Sequence, residues 1–158
     1  MEGKGLLGLD IRTRTGTLFD SGDQKFTTAT VAKVGEATAA VLLHAEETKN
    51  QYVYVNSFKL TQNLVLEALE RVSGSKFSMD KMSVAEILAV GKKSFEEGDW
   101  DGAYYKLVTA LVYSGNEAVY FPEKAEHWNK VLGLAQEETV DEMIGRVLAE
   151  VPSPANVN

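Results

Sequence analysis

Apolar and β-branched residues follow a strand-like pattern before residue 28 and a helical spacing after it. Segments 10–14 and 17–20 are rich in β-branched residues and flank a Thr-Gly pair, which predicts a β-hairpin. Over 28–44 the apolar positions fall on one face at helical spacing, which predicts a helix. That face consists of Val31, Val34, Ala37, Val41 and Leu42. The chain is therefore expected to begin with short strands and then to become helical.

Two features bear on the first predicted helix. Threonines at positions 27, 28 and 30 lie at its start, and any of them has the side-chain oxygen that an N-cap needs. Gly35 lies inside it, where glycine is less favourable than alanine by up to about 1 kcal/mol. We expect Gly35 to mark a close approach to another element.

Further strands and helices follow. Residues 52–55 (Tyr-Val-Tyr-Val) give the strongest strand signal of the chain. Residues 60–73 predict a helix that stops at Gly74, and residues 76–79 predict a short strand. From there the pattern is helical.

Two capping boxes predict where helices begin in the helical half. Ser83 with Glu86, and Thr139 with Glu142, have the spacing in which the hydroxyl accepts from the amide three residues on and the carboxylate reaches back. Additional helices are predicted over 101–113 and 124–132. The expected fold is an α/β domain over 1–150, with a small mixed sheet, a helical C-terminal half and a flexible tail over 151–158.

Composition narrows the function classes. The 158 residues carry a formal net charge of −7 and no cysteine. The acidic balance argues against nucleic-acid binding, which needs clustered Lys and Arg. Absence of cysteine excludes disulfides and thiolate metal sites. No stretch has the roughly 20 apolar residues of a membrane span, and no secretory leader is recognised, so a cytoplasmic protein is expected.

Residues 3–8 (Gly-Lys-Gly-Leu-Leu-Gly) match the spacing of a dinucleotide-binding glycine motif. That motif works only where a strand enters the glycines and a helix follows, so that the helix N-terminus receives the pyrophosphate. Too few residues precede this motif for a strand, and an extended segment is predicted after it. We therefore interpret it as a loop. His44 and His127 have no partner at metal-ligand spacing and are interpreted as capping or surface residues.

Aromatic residues cluster in the second half of the chain. Such side chains either pack in a core or line a small-molecule pocket. We select Phe26, Tyr113 and Trp128 as candidate substrate-pocket residues, with ordinary core packing as the alternative.

Several segments together resemble fungal NmrA-like proteins of the isoflavone-reductase type. They are GLLGLD at 5–10, TLFDSGD at 17–23, FTT at 26–28, LHAEETKN at 43–50, YVYVNSF at 52–58, TQN at 61–63 and GDW at 98–100. The resemblance covers nearly the whole chain and is to the C-terminal, substrate-domain part of that family. It implies the substrate domain of an atypical or extended short-chain dehydrogenase, without the complete Rossmann domain.

The resemblance also implies a function. Family members bind NADPH through an N-terminal glycine-rich loop and place a catalytic lysine in the same half, so none of their cofactor or catalytic residues carries over to a position of this chain. NADPH is implied by the family but is not expected to bind this chain alone. Reduction of a small aromatic or polyketide-like molecule in fungal secondary metabolism is one hypothesis. A regulatory or partner-binding module, acting through a protein partner or homo-oligomer at an exposed docking face, is another. A truncated or degenerate gene product is the third.

Overall fold

The structure is a computed structural model that describes residues 8–135 and 138–150. Strands precede and interleave with helices up to residue 82, and only helices follow within the described ranges. The elements are β1 (Leu9–Asp10), β2 (Thr15–Phe19), β3 (Phe26–Thr28), α1 (Val31–Leu43), α2 (Ala45–Thr48), β4 (Phe58–Leu60), α3 (Gln62–Ser73), β5 (Ser78–Met82), α4 (Val84–Glu96), α5 (Trp100–Val112), α6 (Pro122–Val131) and α7 (Val140–Glu150). This order confirms the α/β class and the helical C-terminal half. The tail expected over 151–158 lies outside the described residues.

The strands form two small sheets. In the first, β2 lies between β1, which runs antiparallel to it, and β5, which runs parallel. In the second, β3 and β4 pair antiparallel, with Phe26 opposite Leu60 and Thr28 opposite Phe58. Because both directions of pairing occur in the first sheet, the expectation of mixed pairing is confirmed, although the strands divide between two sheets.

The predicted hairpin is present, but its turn lies earlier than the Thr-Gly pair. Gly16 is part of β2 and pairs with Leu9. The turn is closed by the Asp10 carboxylate, whose Oδ1 accepts hydrogen bonds from the amides of Arg12 at 2.9 Å and Thr13 at 3.1 Å. These amides, chiefly that of Thr13, lower the pKa of Asp10. The turn is thus stabilised by this aspartate, and the Thr-Gly pair belongs to the strand that follows.

The strand predicted over 52–55 is absent, and this prediction was wrong. The segment has no regular structure, and the Tyr52 side chain is 87% exposed. The strand of this region is β4, three residues further along. Residues 53–55 are partly buried, and the Tyr54 ring packs against Phe121 with centroids 5.2 Å apart, but no strand of the described residues pairs with this segment. Strand propensity reflects packing on a paired, pleated surface, which is missing here.

Both predicted capping boxes are confirmed. Ser83 Oγ accepts from the amide of Glu86 at 3.1 Å, and the Glu86 carboxylate accepts from the amide of Ser83 at 2.7 Å. Thr139 and Glu142 make the same pair of bonds at 3.3 and 2.7 Å. The hydrogen bonds donated to each glutamate lower its pKa. These two boxes fix where α4 and α7 begin.

The core lies between the sheets and the inner face of α3. Its buried members come from β1 to β4, from α3 and α7, and from the residue that ends α5. They are Leu9, Phe19, Phe26, Phe58, Leu60, Val65, Ala68, Leu69, Tyr113 and Ile144. Gln62 is fully buried beside them and bonds β2 beyond the residues that pair with β1, accepting from the amide of Phe19 at 2.9 Å and donating to the carbonyl of Thr17 at 2.6 Å.

The apolar face predicted for α1 is only partly buried. Ala37 is 6% exposed, whereas Val31 is 90% exposed and Leu42 76%. Gly35 is also exposed, and a Cβ added there would have no neighbouring atom within 4 Å. The prediction that Gly35 marks a close approach was therefore wrong.

Candidate functional site

Two adjoining cavities lie around the N-terminus of α1. One has a volume of about 320 Å³ and a charged lining, formed by Thr30, Ala32, Lys33, Glu36, Ser57, Glu138 and Arg146. The other has a volume of about 360 Å³ and a mainly apolar lining, formed by Thr28, Ala29, Thr30, Val31, Ala32, Phe58, Leu60, Val65, Met143, Arg146 and Val147. Three residues, Thr30, Ala32 and Arg146, line both. We call them the charged cavity and the apolar cavity.

The start of α1 is held between β3 and the residue that precedes β4. Thr30 caps the helix, since its Oγ1 accepts from the amide of Lys33 at 3.1 Å. The amide of Thr30 in turn donates to Ser57 Oγ at 3.2 Å, and the amide of Ser57 donates to the carbonyl of Thr28 at 2.9 Å. These bonds fix the floor shared by the two cavities.

Lys33 is the most buried charged side chain at the site, with 5% of its surface exposed. Its Nζ donates to Glu36 Oε2 at 2.8 Å and to the carbonyl of Ala135 at 2.6 Å. A buried ammonium is tolerated only with such partners, because leaving water without them is costly. The lysine therefore joins α1 to the segment that follows α6.

Arg146 brings a second cation to the site from α7. Its Nη2 lies 2.9 Å from Oε1 of Glu138, and its side chain is half exposed. The site thus contains two ion pairs, Lys33 with Glu36 and Arg146 with Glu138, and their formal charges sum to zero. The first turn of α1 holds no acidic residue and adds the partial positive charge of a helix N-terminus.

The apolar cavity extends the site toward the core. Phe58 and Leu60 reach it from β4, Val65 from α3, and Met143 and Val147 from α7. Ligand sites commonly combine such an apolar body with a few polar groups that fix orientation, in volumes of roughly 300 Å³ or more. The two cavities together have the chemistry to hold a small molecule with an apolar body and one polar end.

The three residues selected from sequence do not come together. Phe26 and Tyr113 are both buried in the core, where their rings meet edge to face at 5.7 Å. Burial also raises the pKa of the Tyr113 phenol. Trp128 is partly buried on α6, beside the ring of His127 at 5.4 Å. None of the three lines the charged or the apolar cavity, and their role in a substrate pocket stays a prediction.

The remaining late aromatics lie mostly at the surface of the α4–α5 pair. Trp100 is 63% exposed, Tyr104 62% and Tyr105 54%. Phe95 and Trp100 meet edge to face with ring centroids 4.7 Å apart. These side chains therefore pack on each other rather than in the core.

The described residues do not fit the phosphate loop of a dinucleotide site. Three strands lead directly into helices, and their connections are Ala29-Thr30, Thr61 and Ser83, none of which contains glycine. Gly8, the last glycine of the N-terminal motif, leads into β1 instead of a helix; the rest of that motif lies outside the described residues. Over 8–135 and 138–150, no group of three or more His, Asp or Glu side chains is placed to hold a metal ion.

Sequence reasoning missed the residues that define the two cavities. Lys33 occupies a helix position that is usually solvated, and only its buried environment reveals it. Arg146 and Glu138 lie more than 100 residues from Lys33 in the chain. The sequence did indicate that a threonine caps the start of α1. Nothing in it indicated that residues of α7 lie next to that helix start.

The chain is similar in sequence to fungal proteins that are named as oxidoreductases. It is 34% identical over 145 residues to a Penicillium oxalicum protein named Oxidoreductase poxI, across 90% of this chain and 46% of that protein. It is 26% identical over 144 residues to Oxidoreductase aprR of Aspergillus flavus, across 90% of this chain and 47% of that protein. The chain thus spans about half the length of the curated relatives it matches. No protein-family profile matches it.

One solved structure shares the fold. It is a nucleoside-diphosphate-sugar epimerase from Staphylococcus aureus, with a TM-score of 0.57 and 12% identity, matched over 85% of this chain and 44% of that chain. At this identity the likeness concerns the fold alone. The chain therefore shares its fold with part of that longer protein. Among the residues described here, no helix is long and apolar enough to cross a membrane.

Proposed function

We propose that this chain is the substrate-binding part of an NADPH-dependent oxidoreductase of the NmrA-like, isoflavone-reductase type. Its substrate would be a small aromatic or polyketide-like molecule of fungal secondary metabolism. In this proposal the chain corresponds to the C-terminal half of such an enzyme. The similarity to Oxidoreductase poxI and Oxidoreductase aprR supports the reaction class.

The observation that carries the proposal is the pair of adjoining cavities at the start of α1. Their linings divide into one charged and one apolar part, which share Thr30, Ala32 and Arg146. A molecule with an apolar ring system and a polar oxygen matches this division, because each part of it meets a lining of the same character.

The proposal leaves cofactor binding to other parts of the enzyme. The described residues lack the glycine-containing turn between strand and helix on which a dinucleotide pyrophosphate rests. No hydride-transfer step is therefore assigned to residues of this chain. Their contribution is to bind and orient the substrate and to exclude water from it.

Binding of a fluorescent apolar probe tests the cavities. N-phenyl-1-naphthylamine is a neutral aromatic compound whose emission rises when it leaves water. We expect saturable binding to the 158-residue chain and its loss in Ala32→Trp, because Ala32 is exposed yet lines both cavities. Ala39→Trp, at an exposed position of the same helix outside both linings, is the matched control. Equal binding by both variants would contradict the assignment of the cavities.

A titration with NADPH tests the division of labour. Folded, monodisperse chain is expected to show no saturable binding tighter than about 100 μM, or roughly −5.5 kcal/mol. Tighter binding, detected by nicotinamide fluorescence or calorimetry, would show that this chain holds a cofactor site of its own and would contradict the proposed division.

A second function is supported by the exposed face of α1. Val31, Val34 and Leu42 lie on one side of the helix and are 90%, 49% and 76% exposed. In a regulatory or partner-binding module, such a face would contact a protein. This candidate predicts that Leu42→Glu leaves probe binding unchanged but weakens association with another polypeptide or with a second copy. Light scattering at increasing concentration measures the self-association arm.

A further inference from the structure

We propose that the charged cavity binds an anionic oxygen of the ligand and that Lys33 is the residue that receives it. The ligand class is then a small, largely apolar molecule that carries one carboxylate, phenolate or enolate oxygen. This inference rests on the proposed substrate-binding function and names the substrate chemistry of the same site.

The position of Lys33 is the first argument. Its side chain is 6% exposed, yet it lines a cavity of about 320 Å³. An ammonium has three N–H donors. Two of them reach Glu36 and the carbonyl of Ala135, and no residue in the described part of the chain accepts the third. The site thus holds a buried cation with a remaining donor next to open space.

The surrounding charges form the second argument. Glu36, the anionic partner of Lys33, is 40% exposed, so water screens its charge more than it screens the buried ammonium. Arg146 and the N-terminus of α1 place further positive charge at the cavity. Glu138 opposes this, but it is already paired with Arg146 at 2.9 Å. The most buried of the four charged side chains is therefore the cation Lys33.

Desolvation forms the third argument. A neutral ligand that filled the charged cavity would remove water from the half-exposed Arg146 without replacing the hydrogen bonds of that water, which is unfavourable. An anionic oxygen would replace them with charge-assisted bonds, which are stronger than neutral ones. The apolar body of the ligand would then lie in the adjoining apolar cavity, against Phe58 and Met143.

The test compares two ligands that differ in one group. 1-Naphthoate is ionised at neutral pH, and 1-naphthalenemethanol has the same ring system with a neutral hydroxyl. Each is used to displace N-phenyl-1-naphthylamine from the full chain. We expect the naphthoate to bind about tenfold more tightly, the difference expected for one hydrogen bond to a charged group.

Substitution of the lysine then assigns the preference to a residue. Lys33→Met keeps the apolar stem, and we expect it to abolish the preference for naphthoate over naphthalenemethanol. Lys33→Arg, which retains a cation, is expected to keep the preference. Lys81→Met, at an exposed lysine of β5, is the matched control and is expected to behave as the wild type.

The outcomes separate this inference from the function on which it rests. Equal binding of both ligands to the wild-type chain, or a preference that survives in Lys33→Met, would overturn the anionic subsite while leaving the cavities as a substrate site. Absence of probe binding by the folded wild-type chain would overturn the proposed function and this inference together. The wild-type comparison decides the ligand class even if a variant fails to fold.

Discussion

The helices α1 and α3 begin in the same way and end up in different environments. Each follows a strand of the two-stranded sheet, and each is capped by a threonine whose Oγ1 accepts an amide hydrogen bond at 3.1 Å. Yet α3 buries Gln62, Val65, Ala68 and Leu69, whereas the buried residues of α1 are Lys33 and Ala37. Local sequence signals set where both helices start, but only the tertiary context decides what each one packs against.

The two helices therefore have different roles, α3 in the stability of the fold and the start of α1 in ligand binding. The inner face of α3 contributes to the core and packs against α7, so it holds the two halves of the described fold together. The start of α1 instead contributes a buried cation to a cavity and leaves most of its apolar residues exposed. Substitutions in α3 should therefore change stability, and those at the start of α1 should change ligand binding.

The largest expected effect is on the free energy of unfolding, when a leucine is replaced by alanine in α3 and, for comparison, in α1. Leu69 in α3 is 3% exposed, and Leu42 in α1 is 76% exposed. Leu69→Ala leaves a cavity in the core and should lower the free energy of unfolding by about 2–5 kcal/mol. Leu42→Ala should change it by less than about 0.5 kcal/mol. Urea denaturation measures both, and equal losses would show that α1 packs as firmly as α3.

The first residue of α3 gives the next prediction. Gln62→Leu would keep the volume but leave the amide of Phe19 and the carbonyl of Thr17 without the side-chain partner that they have now. Because buried backbone groups without partners are costly, we expect a loss of roughly 2–3 kcal/mol in the free energy of unfolding. Gln51→Leu, at an exposed glutamine, is the control and should have little effect. A neutral Gln62→Leu would show that water replaces the lost bonds.

The two threonine caps allow a closer comparison. Thr30→Ala and Thr61→Ala each remove one hydrogen bond to a first-turn amide and should each lower stability by about 1 kcal/mol. Only Thr30→Ala should also weaken displacement of the naphthylamine probe by naphthoate, since Thr30 lines both cavities. Equal effects of the two variants on ligand binding would place the ligand elsewhere.

The smallest effect concerns pH and the contact between α3 and α7. Arg71 holds Asp141 through two hydrogen bonds of 2.9 and 2.6 Å, and this contact lowers the pKa of Asp141 below its unfolded value. A depressed carboxyl pKa stabilises the fold above the unfolded pKa, and this contribution disappears as the pH falls through the folded value. Both side chains are exposed, so the effect is screened by solvent. The difference in denaturation midpoint between wild type and Arg71→Met should therefore shrink between about pH 5 and pH 2, and a difference that grows on acidification would contradict the assignment.

Helices and capping boxes could be predicted, because each depends on residues that are close together in the sequence. The helices α1, α3, α4 and α5 follow from apolar spacing, and the boxes at Ser83 and Thr139 follow from residues three positions apart. The strand expected at 52–55 failed because β-rich composition is not sufficient without a partner surface. The apolar residues of α1 predicted a buried face, but burial depends on neighbours that local spacing does not specify.

The candidate site could not be predicted for the same reason. Its lining comes from residues within 28–36, 57–65 and 138–147, which only the fold brings together. Lys33 lies among residues that read as an ordinary helix surface, and its burial depends on the carbonyl of Ala135, 102 residues away. Of the aromatic residues selected from the sequence, Phe26 and Tyr113 lie in the core and Trp128 is partly buried on α6.

The central claim is that a ligand binds at the start of α1, and mapping the bound position of 1-naphthoate by amide chemical-shift changes tests it most directly. The changes are expected to concentrate at residues 28–33 and 143–147, which line the two cavities. Saturable changes centred on α4 and α5, where the exposed aromatics lie, would place the binding site there and would contradict the account.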